Sequence, residues 1–425
     1  MAHFFPDLPK WLGQLQDTRD QDLITYCRQF LTWMGLMGFI LKAGSRRQMG
    51  LELDSPQALD NLNALAYAHQ DTLPHHDSLN HFLGHVPPAE LPKLRRQMIQ
   101  RLVRMKALDD GRLLGRFLIV IDGTGQLHFN QRHCPYCLEQ KHGEHTLYFH
   151  HVLEAKLVTP DGLALSIGSE FIVNDDPHAT KQDCELKAFA RLARHLKQDF
   201  PQLPLCLLMD GLYANGTAMD LCAQNHWKYI ITFKEGSAPA LWSDFQGLLC
   251  LCPRNRKHHA TPDGAQQTLQ WVEALEHVDD RGRRHRVNAF QCLEEEKDES
   301  HFFAWLTNCP VSAQTVEPLA NQGGRCRWKI ENEGFNIQKN GGFNLEHAYS
   351  LGDRQIKNFY VLLQIAHLIL QLLERGSLLQ DAQKLFGSLR NLARRLAESI
   401  RNVLIPPAAI DPLAAASIQI RLNSS

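Results

Sequence analysis

The sequence predicts an α/β protein in which helices pack on a mixed sheet. A helical region precedes the sheet and antiparallel strands interrupt it. Two observations carry the first part. The apolar runs Phe117–Ile121 and Leu203–Met209 have the character of buried strands, and each ends in an aspartate followed by glycine. From the first run onward, strand-like and helix-like stretches follow in the order β-β-β-α-β-α-β, as in a mixed sheet flanked by helices. A third observation adds the interruption: residues 236–312 alternate with period two, as half-buried antiparallel strands do.

Within the first 110 residues, Asp22–Leu41 carries Leu23, Ile24, Cys27, Phe30, Leu31 and Met34 near a 3.6-residue period and reads as a helix. Pro56–Ala68 reads as a second helix and Asp77–Leu83 as a short one capped by Asp77. Leu91–Leu108 follows as a basic amphipathic helix. Such a group could hold a helix-turn-helix or simply cap the next domain. Beyond Phe117, strands are expected at Thr146–Val158 and Ala164–Val173, joined by the Pro160-Asp161-Gly162 turn, and a basic helix at Lys181–Gln198. After Leu203–Met209 come a helix at Ala214–Asn225 and a strand at Trp227–Phe233. Gln270–His277, Arg283–Glu294 and His301–Thr307 read as the antiparallel insertion. Helices are then expected at Gln314–Asn340, stopped by Gly341-Gly342, at Arg354–Glu374 and at Gln380–Leu404.

At 425 residues, the chain is long enough for two or three domains. The expected divisions are 1–112 (helical, DNA-binding), 113–235 (core, first part), 236–312 (β insertion), 313–378 (core, second part) and 379–425 (basic helix and tail). With 44% apolar and 21% charged residues, the composition excludes a disordered or fibrous chain. The longest apolar stretch, Phe359–Leu373, is interrupted by Gln364, His367 and Gln371, so no membrane span is expected. The opening MAHFFPDLPK lacks the basic-then-apolar pattern of a secretory signal. Eleven cysteines, an odd number, do not form a disulfide framework, so a reducing cytoplasm is expected. Net charge is −1, from 45 Lys plus Arg against 46 Asp plus Glu, so any basic surface is local, as in Lys93–Arg116 and Arg390–Arg401.

Three acids stand out. Asp122 and Asp210 each close an apolar strand, where open α/β sheets place reactive groups. Glu331 lies in a predicted helix near the end of the core. If strands and helix are neighbours, the three carboxylates converge. They then offer the oxygen ligands that Mg²⁺ requires, and two such ions about 3.5–4 Å apart can serve phosphodiester chemistry. Acids also follow strands simply because loops are polar.

Three blocks, Ile121-Asp122-Gly123-Thr124-Gly125, Met209-Asp210-Gly211-Leu212-Tyr213 and Arg327-Trp328-Lys329-Ile330-Glu331, resemble in kind and order those of insertion-sequence transposases of the DDE type. The resemblance spans residues 115–375. It implies an RNase H-like core with a β-strand insertion before the final glutamate, and Asp122, Asp210 and Glu331 as catalytic residues holding two Mg²⁺ or Mn²⁺ ions. It further implies cleavage and joining of DNA at terminal inverted repeats recognised by the N-terminal helices, and a homodimer in the DNA complex. A nuclease without strand transfer, or a DNA-binding regulator with a decayed core, would share these features.

Related transposases often carry Tyr, Arg, Glu and Lys at fixed spacing around the last acid. Arg327 and Glu331 fit, whereas Gly324 and Gln338 stand at the Tyr and Lys positions. On an α-helix, Gln338 falls on the face of Glu331 and Lys339 roughly 80° away. Arg327 and Lys339 are the candidates for phosphate contacts. Glu333 competes with Glu331 for the acid role, and Glu170 is a more distant substitute. Trp328 reads as a core anchor or a base-stacking residue.

Cys134 and Cys137 with His142 and His145 offer thiolate and imidazole ligands for a structural Zn²⁺, with His128, His133, His150 and His151 as competitors. Cys250 and Cys252 with His258 and His259 form a weaker set.

Overall fold

Phe117–Ile121 is buried on both sides. Ile119 and Ile121 belong to one apolar cluster, and Leu118 and Val120 to a second. Such a run belongs in the middle of a sheet covered on both faces. The computed structural model describes residues 3–143, 145–174, 182–296, 299–375 and 386–406.

The run opens β1 (Phe117–Phe129). It is followed by β2 (Leu138–His142), β3 (His145–Val158), β4 (Ala164–Ile172), β5 (Leu205–Met209) and β6 (Lys228–Thr232). β1 lies antiparallel to β3 and parallel to β5, β5 is parallel to β6, and β3 is antiparallel to β4. The spatial order β4-β3-β1-β5-β6, with three antiparallel strands first and parallel pairs after β1, is the RNase H-like arrangement. Helices α7 (Glu185–Asp199) and α8 (Gly216–Gln224) make the connections to β5 and β6.

The insertion contains α9 (Pro239–Leu251) and strands β7 (Arg256–Ala260), β8 (Gln266–Val278), β9 (Arg284–Glu296) and β10 (Glu299–Thr307). β10 pairs with β6, so the four strands extend the core into one ten-stranded sheet. The insertion is antiparallel, as its alternation predicts, but it is joined edge-on to the core. α9, β7 and β2 were not anticipated; β2 and β7 are five residues each, too short to show a period.

The N-terminal helices are α1 (Leu8–Gly13), α2 (Arg28–Ile40), α3 (Arg46–Glu52), α4 (Pro56–Ala66), α5 (His76–His85) and α6 (Glu90–Arg104). α2 begins six residues later than its periodicity suggests. Cys27 is extended (φ −69°, ψ 158°), and Arg19, bonded to both Asp17 and the Tyr26 carbonyl, holds the preceding residues as a turn.

Residues 316–340, expected as one helix, are broken into α10 (Val316–Pro318), π-turns at Leu319–Gly323 and Ile330–Asn336, a 3₁₀ stretch between them, and α11 (Ile337–Asn340). Gly324 lies so close to the Trp305 ring that a Cβ there would overlap it, and the chain unwinds to pass. Gly341 and Gly342 then end the segment, Gly342 with φ +94°.

α12 (Asp353–Arg375) packs between α2 and β4. It is the one described helix long and apolar enough to cross a membrane, but 89% of that window is buried inside the protein. Its polar residues each meet a partner. Gln364 bonds Lys156 and Gln338, His367 bonds Gln338, and Gln371 bonds both backbone groups of Ala164. α13 (Leu389–Asn402) returns to α4, where Asn61 holds the carbonyls of Ile400 and Val403 at 2.8 Å. The expected start of that helix, 380–385, and the tail from 407 lie outside the described residues.

Glu154 is completely buried. It accepts hydrogen bonds from Ser166, from Ser169 at 2.7 Å and from Tyr360 at 2.9 Å, with Arg95 and Lys156 each 3.9 Å away. Burial, offset in part by Glu154, lowers the Lys156 ammonium to about 8. Glu154→Ala strands Arg95 and Lys156 as buried, uncompensated cations and is expected to destabilise the chain by about 3–5 kcal/mol. Urea unfolding measures this, and a loss below about 1 kcal/mol would show that the network bears no such load.

Candidate active site

The pairing of β1 with β5 runs from Phe117–Leu205 to Val120–Leu208. Two residues further along these neighbouring strands stand Asp122 and Asp210. Adjacent strands lie about 4.8 Å apart, so the register brings the two acids to the same sheet edge. Asp122 does not end its strand, as its sequence position suggested. β1 continues to Phe129 because β3 pairs along its whole length, with Asp122 opposite Glu154. What ends at Val120 is the partnership with β5, and the acids line the resulting gap.

Both aspartates are oriented by backbone. Gly123 N–H donates to Asp122 Oδ1 and Leu212 N–H donates to Asp210 Oδ1, each at 2.9 Å. Glu331 comes from the π-turn segment and is exposed. The Asp122 carboxyl is raised above its usual range by burial; Arg327 and the Gly123 bond oppose this, while the charges of Asp210 and Glu331 add to it. The charges of both other acids are therefore felt at Asp122. They are not among the described clusters whose donor atoms all lie within 4.8 Å of one another.

Arg327 Nη1 donates to Asp122 Oδ2 at 3.2 Å, and its guanidinium lies 4.5 Å from the centre of the Trp328 ring. Trp328 is 56% exposed, which corrects its reading as a core anchor. Glu333 pairs with Lys329 at 3.4 Å, and Glu170 is held by Arg191 at 2.6 Å and His195 at 3.2 Å.

The helical-wheel placement of Gln338 and Lys339 is also corrected. A π-turn advances each residue by about 80° instead of 100°, so over residues 331–336 the segment loses roughly a quarter turn. Gln338 turns inward and is fully buried against Gln364 and His367. Lys339 comes round toward Glu331. It pairs with Glu346 at 3.1 Å, and its charge helps to depress the imidazole of His151.

Three residues of the site were missed in the sequence. Glu185, the first residue of α7, reaches over Gly123, where a Cβ would collide with its Oε1. Burial, then Asp122 and Asp210, raise its carboxyl to about 7. His151 Nε2 lies 3.5 Å from Glu185 Oε1, and burial, His128 and Lys339 lower the imidazole to about 4. Tyr213 is buried with no hydrogen-bond partner for its hydroxyl among the described residues, and burial, then Glu185, Asp210 and Asp122, hold that hydroxyl in the neutral form. Tyr213 belongs to the second motif block and had a signal. Glu185 had none, because it fell inside a helix expected from Lys181.

The zinc ligand set is corrected as well. His142 and His145 face each other as partners at the exposed tip of the β2–β3 hairpin. The imidazoles beside Cys134 and Cys137 belong to His133 and His150. Cys250, Cys252, His258 and His259 form no such cluster among the described residues.

No family model matches the chain, and no curated protein matches it. Among solved structures, a similar chain is the piggyBac transposase in its synaptic complex with hairpin DNA. It has 10% identity and a TM-score of 0.39, over 95% of this chain and 79% of that one. The fold assignment stands on strand order and register, independently of this likeness.

The raised carboxyl of Glu185 has a definite sign in stability. Between the ordinary carboxyl range and about 7, the folded state binds more protons than the unfolded one, so stability falls as pH rises through that window. Glu185→Gln is expected to flatten this slope. It should raise stability at pH 8 by about 1–2 kcal/mol, after discounting for solvent screening of a partly exposed group. Urea melts at pH 5 and pH 8 test it; an unchanged difference between the two pH values would place Glu185 outside the acid cluster.

Proposed function

We propose that the protein is a DDE-type transposase that cuts and joins DNA at the terminal inverted repeats of its own mobile element. The observation that carries this reading is that Asp122 and Asp210 follow the last paired residues of two adjacent parallel strands of an RNase H-like sheet, where the charges of Asp210 and Glu331 both act on the Asp122 carboxyl. The three motif blocks resembling that family supply those same residues.

The donor set fits hard divalent cations. It consists of carboxylate oxygens: burial and the charges of Asp210 and Glu331 push Asp122 toward protonation, and burial with Asp122 and Asp210 does the same to Glu185 beside it. A cation relieves that repulsion. Asp122, Asp210 and Glu331 would hold Mg²⁺ or Mn²⁺. When bound, such ions activate the attacking hydroxyl and stabilise the leaving oxygen of an in-line displacement.

The chain's own groups do the rest. Lys339 and Arg327 are the candidates for contacts with DNA phosphates, Arg327 by turning from Asp122 to a phosphate oxygen. Exposed Trp328 beside it offers a face on which an unpaired base can stack. Glu185 Oε1, titrating near neutrality, is placed to accept a proton and pass it to solvent. The N-terminal helices would read the repeats, and two copies would bring the element's ends together. The cytoplasm is the proposed setting.

Asp122→Asn, Asp210→Asn and Glu331→Gln are each expected to reduce joined product by about 10²–10³-fold or more when the protein is incubated with DNA carrying the element's ends and Mg²⁺ or Mn²⁺. Cleavage that persists without joining in the wild type would favour a nuclease. Unaltered joining in Asp210→Asn would remove the acids from the mechanism.

Binding of the ions has its own readout. Mn²⁺ is expected to raise the melting temperature of the wild type by a few degrees, more at pH 8 than at pH 6, because Glu185 beside the site, raised to about 7, adds its negative charge only toward pH 8. An equal rise in Asp122→Asn would detach the ions from this site.

A further inference from the structure

His133, Cys134, Cys137 and His150 play no part in the proposed reaction, yet their donor atoms all lie within 4.8 Å of one another. Cys134 Sγ and Cys137 Sγ are 3.4 Å apart. His150 Nε2 is 3.4 Å from Cys134 Sγ and 3.6 Å from Cys137 Sγ, and His133 Nδ1 is 3.4 Å from Cys137 Sγ. With Zn–S of about 2.3 Å and Zn–N of about 2.0–2.1 Å, the edges of a tetrahedral Cys₂His₂ shell are roughly 3.3–3.8 Å. These four separations fall in that range. Both thiols are free.

The surroundings also suit a structural ion. Cys137 and His150 are buried, and His133 and Cys134 are half-buried. A ligating imidazole usually engages a carbonyl or carboxylate through its second nitrogen, which fixes the tautomer and the ring. His133 Nε2 does this with the carbonyl of Leu351 at 3.3 Å. Asn174 brackets the loop from the other side, its backbone N–H bonding the Tyr136 carbonyl at 3.2 Å and its Nδ2 bonding that of Cys137 at 3.1 Å. The first three ligands come from the loop between β1 and β2, and the fourth from β3.

We propose that His133, Cys134, Cys137 and His150 form a structural Zn²⁺ site that fastens the β1–β2 loop to β3 and, through the His133–Leu351 contact, to the segment leading into α12. Successive residues of a strand point to opposite faces. The ion would thus grip His150 while its neighbour His151 contacts Glu185, so the clamp sits directly behind the candidate active site. The zinc proposal does not depend on the transposase reading.

The full chain, purified from zinc-supplemented medium and dialysed against zinc-free buffer, is expected to carry about one zinc per chain by elemental analysis. Replacement by Co²⁺ should give the intense d–d bands of tetrahedral cobalt and thiolate-to-metal charge transfer. Cys134→Ser and His150→Ala should lose the metal, whereas the double variant His142→Ala/His145→Ala should keep it. Chelation is expected to lower the melting temperature by at least about 5 °C. If the cysteine variant does not fold, the wild-type metal content and cobalt spectrum still decide. Zinc-free wild-type protein without cobalt bands, a Cys134–Cys137 disulfide found by mass spectrometry, or loss of metal in the hairpin double variant would each overturn the assignment.

Discussion

One buried carboxylate dictates how this molecule is assembled. Glu154 lies in the middle of β3 and is fully buried, so its charge must be met from every side. The groups that meet it come from separate parts of the chain: Arg95 from α6, Lys156 from β3, Ser166 and Ser169 from β4, and Tyr360 from α12. Lys156 then hands the network on to Gln364, and Gln364 to Gln338, which ends the segment carrying Glu331. An N-terminal helix, two strands of the core, the long central helix and the glutamate segment are thereby fixed relative to one another by polar bonds that tolerate little displacement. Glu154 is also the cross-strand partner of Asp122. The buried carboxylate and the candidate catalytic one are neighbours on the same sheet.

That anchoring explains why the glutamate segment is irregular. Gln338 must reach inward to Gln364 and His367, while Glu331 must stay out at the acid cluster. A regular α-helix puts residues seven apart on one face. The π-turn at Ile330–Asn336 resolves the conflict by under-rotating the chain, and in doing so carries Lys339 toward the acids. Gly334 has a part in this. Its Cα passes Lys156 so closely that a Cβ would lie 3.1 Å from two carbons of that side chain. Extra turns of this kind recur at functional sites because they re-aim one residue without moving the rest.

Much of this was legible in the sequence where a period was long enough to read. The strands of the core, the antiparallel insertion and α12 all show in their patterns, and the interruptions at Gln364, His367 and Gln371 that argued against a membrane span turn out to be docking contacts. Asp122, Asp210 and Glu331 stood in recognisable blocks. What stayed hidden depends on tertiary context. No local pattern tells that a helix will unwind at Ile330, since the cause is a glutamine partner on another helix and a glycine against Lys156. Glu185 is invisible because an acid in a helix's first turn is ordinary; only the absence of a side chain at Gly123 makes room for it. The histidines beside Cys134 and Cys137 were misassigned because the hairpin tip brings His142 and His145 together but carries them away from the thiols.

The contrast between two groups of acids separates architecture from chemistry. Glu154 is deeper than any of the site carboxylates, but it has two cations and three hydroxyls around it. A buried ion so surrounded is satisfied, and binding anything further would only disturb it. Asp122, Asp210, Glu185 and Glu331 have less around them: Arg327 on Asp122, His151 beside Glu185 and one backbone bond on each aspartate. Their shared charge is left partly uncompensated at an edge open to solvent, where the fold gains nothing from it. Cations arriving from outside would offset that charge. By that criterion, the gap between β1 and β5 is the candidate place for chemistry, and the depth of Glu154 marks it as structure.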